Sequence, residues 1–246
     1  MTADSASINL THHFLIAMPS LEDAAFAKSV VYVCEHSERG ALGLVINKPS
    51  DLSMTGLFEK VELPLHRQDL INAPVLQGGP VHTERGFVLH DAMVVDVPES
   101  AKPATSDLAQ TLAPQEAEAL SAVSNQETTQ ESVYASTMTI PGGLEMTTSK
   151  DVLEALSIGA GPKRVLISLG YSAWGEGQLE SELAENSWLT VGADTAVIFD
   201  TPVEQRYERA IELAGELSSA PGANGEPIHE WLEVRPFLAM PPTVSE

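Results

Sequence analysis

The segment from Lys163 to Trp188, KRVLISLGYSAWGEGQLESELAENSW, constrains the fold of this chain more than any other stretch. It opens with a short apolar run at 165–169, which is typical of a strand covered on both faces. Glycines then surround Tyr171 and Trp174, and glycine favours sharp or close-packed turns. From Gln178 the apolar residues recur at helical spacing, with acids on the other faces. The segment therefore predicts a buried strand, a glycine-rich turn and an amphipathic helix.

Three motifs of phosphate binding or catalysis come close to fitting this segment, and each fails at one position. A phosphate loop needs lysine where the chain has Glu176, and a dinucleotide fingerprint needs glycine where it has Glu180. A nucleophile elbow fits at Ser172, but Trp174 replaces its final glycine. A Ser–Asp–His order is available, although order alone is weak support. The residues that would complete it are Asp194 or Asp200, and His229.

Charge limits the partners that this chain can bind. Its 246 residues include 35 acidic and 13 basic ones, a formal net charge of −22 at pH 7. That field opposes DNA phosphate, anionic membrane surfaces and free nucleotides. Cys34 is the only cysteine, so no internal disulfide can form and a reducing compartment fits. Since neither a signal peptide nor a membrane-spanning apolar run is apparent, we expect a cytoplasmic protein with no membrane partner.

Periodicity and turn residues predict an α+β fold with a mixed sheet, because strands outnumber helices and connections vary in length. The predicted strands are 14–18, 30–34, 40–47, 74–77, 86–90, 133–140 and 195–199, with a further one at 91–98. The predicted helices are 53–61, 149–158 and 202–217, and 21–29 is a short turn or helix. Residues 103–131 are polar and acidic, which predicts a solvated insertion with a short helix at 114–123.

Several blocks of this sequence resemble the YqgE/AlgH family of bacterial proteins. They are FLIAMP at 14–19, SVVYVCEH at 29–36, GALGLVINKP at 40–49, QGGPV at 77–81, RGFVLH at 85–90, and most of 169–188. The resemblance runs from about residue 14 to 217. It implies a compact α+β fold with a strongly bent, barrel-like sheet and flanking helices. We accordingly predict one domain at 10–217 and a partly flexible C-terminal extension at 218–246.

The resemblance implies little about chemistry. The family's label as a transcriptional regulator rests on genetic association rather than on a demonstrated DNA-binding element. This chain also departs from the family pattern, since the insertion at 103–131 is longer and more acidic than expected. Where relatives commonly have alanine, the chain has Ser172, which argues against a serine nucleophile.

The candidate binding residues fall into three blocks that we expect to converge on one groove. Each also has an ordinary structural explanation, such as a bond to local backbone, a tight turn or a packed aromatic. No catalytic residue, metal or cofactor is predicted. The candidates are Asn47, Lys48 and Pro49; Gln77, Gly78, Gly79, Pro80 and Arg85; and Tyr171, Trp174, Gly175, Gly177, Gln178 and Glu180.

These observations favour a non-enzymatic binding or regulatory module with an unknown protein or small-molecule partner, whose site lies near the Gly170–Gln178 turn. One alternative is a transcriptional regulator that acts directly or indirectly, although the charge weighs against direct DNA binding. A second alternative is a hydrolase that uses Ser172 or Cys34. Cys34 and His36 would share one side of an extended segment, but no third group completes a site, so a buried thiol is favoured.

Overall fold

The computed structural model describes residues 9–93 and 132–219. Several predictions lie outside the described residues: the part of the 91–98 strand from 94 onward, the insertion at 103–131 with its helix at 114–123, and the C-terminal extension from 220.

In the part of the chain that is described, ten strands form one strongly bent, barrel-like sheet. Along its main path the order is β10-β1-β2-β3-β9-β6-β8-β7, and β4 joins through β5, which pairs with β9. The β5–β9 pair is parallel and the others are antiparallel, so the predicted mixed sheet and α+β class are confirmed. The strands are β1 (His13–Ala17), β2 (Val30–Ser37), β3 (Gly40–Val45), β4 (Pro49–Ser53), β5 (Pro74–Gln77), β6 (Val81–Asp91), β7 (Thr137–Ile140), β8 (Leu144–Thr147), β9 (Val165–Trp174) and β10 (Trp188–Gly192).

Strand β9 joins the two halves of the sheet. Its first part pairs with β5 and β6, and its last residues pair with β3. The predicted glycine-rich turn at Tyr171 and Trp174 is therefore wrong, because both residues continue the strand. The chain bends instead at Gly170, whose φ is +70° and where a Cβ would lie 2.7 Å from the carbonyl oxygen of Gly79. Glycine there lets the strand change direction without ending.

Five helices lie between or after the strands of the described residues and pack on the sheet. They are α1 (Met54–Lys60), α2 (Lys150–Ser157), α3 (Gln178–Ala184), α4 (Thr195–Phe199) and α5 (Arg206–Ser219), with a 3₁₀ turn at Val203–Gln205. The Ser53 side chain caps α1 by accepting a hydrogen bond from the backbone N–H of Gly56, as its sequence predicts. No described helix is long and apolar enough to cross a bilayer.

Two local predictions fail for identifiable reasons. Residues 195–199 form helix α4 rather than a strand, because Asp194 caps the segment and one face buries Val197 and Ile198. These contacts override the strand preference of the β-branched residues. Trp188 begins β10 instead of ending a helix, and it pairs with Ala17. The short strands β4 and β8 were not predicted at all.

The bent sheet encloses one apolar core and has two further clusters outside it. The main core includes Phe14, Tyr32, Leu44 and Leu89, and it is closed by α4 and α5. A second cluster packs α3 against β1–β3, and a third packs α1 and α2 against β5, β6 and β9. Since all three clusters touch β9 or its neighbours, the predicted site residues on β9 face different surroundings.

Candidate functional site

Two of the three predicted blocks meet at one cleft, which we call the Lys48 cleft. It is a depression of about 420 Å³. Strand β4 and the residue before it form one wall, and the end of β5 with the start of β6 forms the other. Its lining residues are Ala25, Val45, Lys48, Ser50, Asp51, Leu52, Gln77, Gly79, Pro80, Thr83 and Leu169. The two blocks are tied together, because the N–H of Gln77 donates to the carbonyl oxygen of Lys48 at 2.8 Å.

Lys48 is half-buried at the edge of this cleft. Its Nζ donates a hydrogen bond of 2.7 Å to the carbonyl oxygen of Ala25 and a longer one of 3.5 Å to that of Ala24. Burial lowers the pKa of Lys48, an effect that the nearby Asp23 carboxylate opposes. The ammonium group is thus held in place by the loop between β1 and β2.

Asn47 has a structural role in the same loop. Its Oδ1 accepts a hydrogen bond from the N–H of Val30, and its Nδ2 donates to the carbonyl oxygen of Lys28, both at 2.8 Å. Both ends of the amide are therefore engaged by the backbone. Asn47 fixes the wall of the cleft rather than facing a ligand.

The glycines of the second block allow a close crossing of backbones. A Cβ on Gly78 would lie 2.2 Å from the carbonyl oxygen of Gly170, and one on Gly79 would lie 2.3 Å from the backbone of Tyr171. The N–H of Gly78 donates to the carbonyl oxygen of Leu169 at 2.8 Å. Gly78 therefore has no N–H left to bind an anion at this turn. Pro80 is exposed and lines the cleft, and Pro49 is exposed on β4.

The third block does not join the cleft with its side chains. Tyr171 is half-buried on the core side, where Phe87 contacts it edge-on at 5.3 Å and His82 stacks on it at 5.9 Å. Trp174 lies further along β9 in the cluster beneath α3. The predicted convergence of three blocks is thus limited to two blocks plus the backbone at Gly170.

Trp174 belongs to an arrangement that we call the tryptophan clamp, formed by Trp174, Gln178, Glu182 and Trp188. The Glu182 carboxylate accepts hydrogen bonds from the indole N–H of Trp174 at 2.9 Å and of Trp188 at 2.8 Å. Its other oxygen accepts from Nε2 of Gln178 at 3.0 Å. Gln178 Oε1 in turn accepts from the N–H of Gly175 at 3.1 Å. Every polar group of the clamp is therefore used within the fold.

Phe26 completes the apolar side of the clamp. Its ring stacks on Trp174 at 5.9 Å and meets Trp188 edge-on at 5.4 Å. Gly177, with φ of +69°, precedes α3 at its N-cap position. The glycines around Trp174 therefore serve the change from strand to helix.

Glu180 holds a buried histidine. His36 Nδ1 accepts a hydrogen bond from the N–H of Leu10 at 3.0 Å, so the ring hydrogen must lie on Nε2. Nε2 then donates to Glu180 at 2.9 Å. This contact ties α3 to β2 and the segment before β1. Arg85, by contrast, is exposed on β6. A backbone hydrogen bond is the main cause that lowers the pKa of the neighbouring Glu84, and the charge of Arg85 adds only a small part.

Cys34 and His36 do not share surroundings, contrary to the sequence expectation. A β-bulge between Val33 and Glu35 interrupts the alternation of side chains in β2. Cys34 packs inside the main core, and burial raises the pKa of its thiol far above the usual range. Among residues 9–93 and 132–219 no group of three His, Cys, Asp or Glu side chains is placed to hold a metal ion.

A second cleft, the Arg206 cleft, was missed from the sequence. It has a volume of about 420 Å³ between α1, β5, β9 and the start of α5. Its lining residues are Met54, Asn72, Ala73, Pro74, Leu76, Val165, Leu166, Ile167, Phe199, Asp200, Thr201, Pro202, Val203, Glu204 and Arg206. Arg206 follows a proline at the start of an amphipathic segment, a position that gives no sign of burial in the sequence.

Comparison with known proteins places this architecture in a family. The AlgH-like family profile matches residues 14–218. The chain belongs to the AlgH-like family. It is 69% identical over 215 residues to a UPF0301 protein of Paracidovorax citrulli, covering 87% of this chain and 94% of that one. A UPF0301 protein of Polaromonas sp. is 67% identical over 215 residues, covering 87% and 93%.

The solved structures agree with the AlgH-like fold. The solution structure of the AlgH protein from Pseudomonas aeruginosa has 41% identity and a TM-score of 0.60, covering 86% of this chain and 92% of that one. A protein from Corynebacterium diphtheriae has 17% identity and a TM-score of 0.50, which shows a likeness of fold alone. The family resemblance seen in the sequence is confirmed. The names of these AlgH-like relatives state no reaction.

Nothing described in this AlgH-like chain supports the hydrolase alternative. Ser172 is fully buried, and its hydroxyl donates to the carbonyl oxygen of Gly78 at 3.3 Å. An elbow serine must instead present its oxygen to substrate. Cys34 is held as a neutral thiol in the core. Asp194, one of the acids considered for a triad, caps helix α4, and His229 lies outside the described residues.

Proposed function

We propose that this AlgH-like protein is a non-enzymatic binding module and that the Lys48 cleft holds its small-molecule ligand. The main observation in support is that two blocks distant in sequence meet around a cleft of about 420 Å³. Ligand sites in proteins commonly measure about 300–1,000 Å³, so the cleft has a suitable size. Its position beside Gly170 also agrees with a site at the start of the 169–188 block that resembles the family.

The lining of the cleft indicates the kind of ligand. Val45, Leu52 and Leu169 supply apolar walls, while Gln77 and Thr83 present side chains that form no hydrogen bond within the described residues. Such mixed walls suit a small organic molecule with a few polar groups. The net charge of −22 disfavours polyanions. We therefore expect a sugar or an amino acid in preference to a nucleotide.

The other end of the 169–188 block, at Trp174 and Gln178, is a weaker place for a ligand. Trp174 is buried, and its indole N–H already donates to Glu182. Gln178 has both ends of its amide engaged. A ligand at this end would have to break the tryptophan clamp, whereas one in the Lys48 cleft breaks no described bond of Gln77 or Thr83.

A thermal-shift screen with sugars, amino acids and nucleotides tests the proposal. A ligand at 100 times its dissociation constant stabilises the folded state by about 2.7 kcal/mol, which is roughly 5–10 °C in Tm for a chain of this size. The variants are Gln77→Ala and Thr83→Ala. Their matched controls are the exposed Gln205→Ala and Thr55→Ala, which lie outside both clefts.

The expected result is a shift in the wild type that both cleft variants reduce and both controls retain. A shift that the cleft variants retain in full would place the ligand elsewhere and overturn the proposal. If no compound of these classes shifts Tm, the small-molecule part of the proposal fails, and a protein partner becomes the better explanation.

A further inference from the structure

Arg206 is a buried cation for which residues 9–93 and 132–219 provide no carboxylate partner. It is 7% exposed, whereas the other arginines among the described residues are exposed or half-buried. Its Nε donates to the carbonyl oxygen of Thr201 at 3.0 Å, and its Nη1 donates to that of Ile46 at 2.5 Å. Glu204 is the acid whose charge acts on it, but within the described residues no carboxylate forms an ion pair with Arg206.

This burial is unfavourable unless something compensates it. Moving a guanidinium out of water is costly, and buried charges are normally paired. Burial lowers the pKa of Arg206 to about 10, with the Glu204 charge opposing the shift. The chain has 35 acidic residues, so it contains many acids that could have served as a counter-charge. Two backbone carbonyls offset part of the cost and leave other N–H groups of the guanidinium without a described partner.

Arg206 lines the Arg206 cleft together with polar and apolar groups. Asn72 and Thr201 add hydrogen-bonding groups to the lining, and Leu76, Ile167 and Phe199 are among its apolar residues. A guanidinium has five N–H donors in a planar fork, of which two are used here. A fork of this kind matches a carboxylate with two parallel hydrogen bonds.

We propose that the Arg206 cleft binds a small carboxylic acid with an apolar body, whose carboxylate takes the place of the missing counter-charge. The apolar body would lie against Leu76, Ile167 and Phe199. The exposed acids Asp200 and Glu204 also line this cleft, and they disfavour polyanions such as nucleotides and sugar phosphates. This site is distinct from the Lys48 cleft, so neither proposal depends on the other.

The probe is 3-phenylpropionate, with 3-phenylpropanamide as the neutral control of matched shape. Binding is followed by amide chemical shifts in a titration of the full chain. We expect the acid to bind about tenfold more tightly than the amide, because hydrogen bonds to charged groups contribute about 1.5–3 kcal/mol and 1.4 kcal/mol is tenfold. The saturable shifts are expected at Ala73, Ile167 and Val203, and not around Lys48 and Thr83.

Two variants test whether the charge of Arg206 causes the preference for the acid over the amide. Arg206→Gln should abolish the preference for the acid, but it also loses anchoring bonds and need not fold. Glu204→Gln changes an exposed side chain only, and removing its repulsion should tighten binding of the acid. Asp200 is left unchanged because its carboxylate lies 3.9 Å from the guanidinium of Arg164. Equal affinities for acid and amide, shifts at the Lys48 cleft instead, or no tightening in Glu204→Gln would each overturn the proposal.

Discussion

The tryptophan clamp and the Lys48 cleft differ in how their polar side chains are used. In the clamp, the carboxylate of Glu182 satisfies two indoles and one amide, so its polar groups are used inside the fold. In the cleft, the side chains of Gln77 and Thr83 form no described hydrogen bond and face the open space. The most distinctive part of the sequence therefore stabilises the structure, and a plainer part forms the cleft that we propose as a binding site.

Loss of the Glu182 carboxylate should have the largest effect on stability. Glu182→Ala leaves the indole N–H groups of Trp174 and Trp188 without their acceptor in a largely buried cluster. Unsatisfied buried donors and lost charged hydrogen bonds each contribute about 1–3 kcal/mol, so we expect a loss of about 3 kcal/mol in the free energy of unfolding. Urea denaturation measures this change.

Glu176→Ala is the matched control, because Glu176 is exposed in the turn before α3. Its substitution should change the free energy of unfolding by no more than about 0.5 kcal/mol. If Glu182→Ala were as mild as this control, the clamp would not stabilise the fold, and its tryptophans would again be candidates for ligand contact.

Asn47→Ala tests whether the wall of the Lys48 cleft is structural. The substitution removes the acceptor for Val30 and the donor to Lys28. We expect a loss of about 1–2 kcal/mol in the free energy of unfolding, with the exposed Asn72→Ala as the neutral control. Equal stability of the two variants in urea would contradict the structural role of Asn47.

Gln77→Ala and Thr83→Ala should have small effects on stability. Both side chains are exposed and form no described hydrogen bond, so each change should stay within about 0.5 kcal/mol. Urea midpoints check this expectation alongside the ligand screen. A loss comparable to that of Asn47→Ala would show that these residues also support the fold, which would remove the contrast between clamp and cleft.

The sequence predicts elements well where local pattern and tertiary contacts agree. The strands around 30–34 and 74–77 and the capped helix from Ser53 are examples, since alternation, β-branched residues and a serine cap point the same way. At Gly170 the same reasoning fails, because a glycine that bends a strand and a glycine that ends one look alike in sequence. Only the pairing of Tyr171 with Val81 and of Ser172 with Gly43 distinguishes them.

The candidate sites were less predictable than the fold. Lys48 and Gln77 are recognisable as polar groups beside strand ends, but their meeting depends on the pairing of β4 with β5. The burial of Arg206 depends on packing of α5 over the core, to which a position in a charged helical segment gives no clue. Side-chain alternation failed at Cys34 and His36 because one bulge changes which face each residue occupies.

The smallest expected effect concerns pH. Burial and the nearby His13 lower the pKa of His12 below its usual 6.5, and the hydroxyl of Tyr32, which burial keeps protonated, lies 2.9 Å from its Nδ1. Because the unfolded chain binds this proton more readily, the contribution of His12 to stability is present above pH 6.5 and declines as the pH falls through that value.

His12→Asn removes the titrating group, and asparagine tolerates the φ of +61° found there. Free energies of unfolding measured at several pH values from neutral to mildly acidic should therefore decline less steeply in His12→Asn than in the wild type. A steeper decline in the variant would mean that His12 gains stability on protonation, which would reverse the sign of the shift.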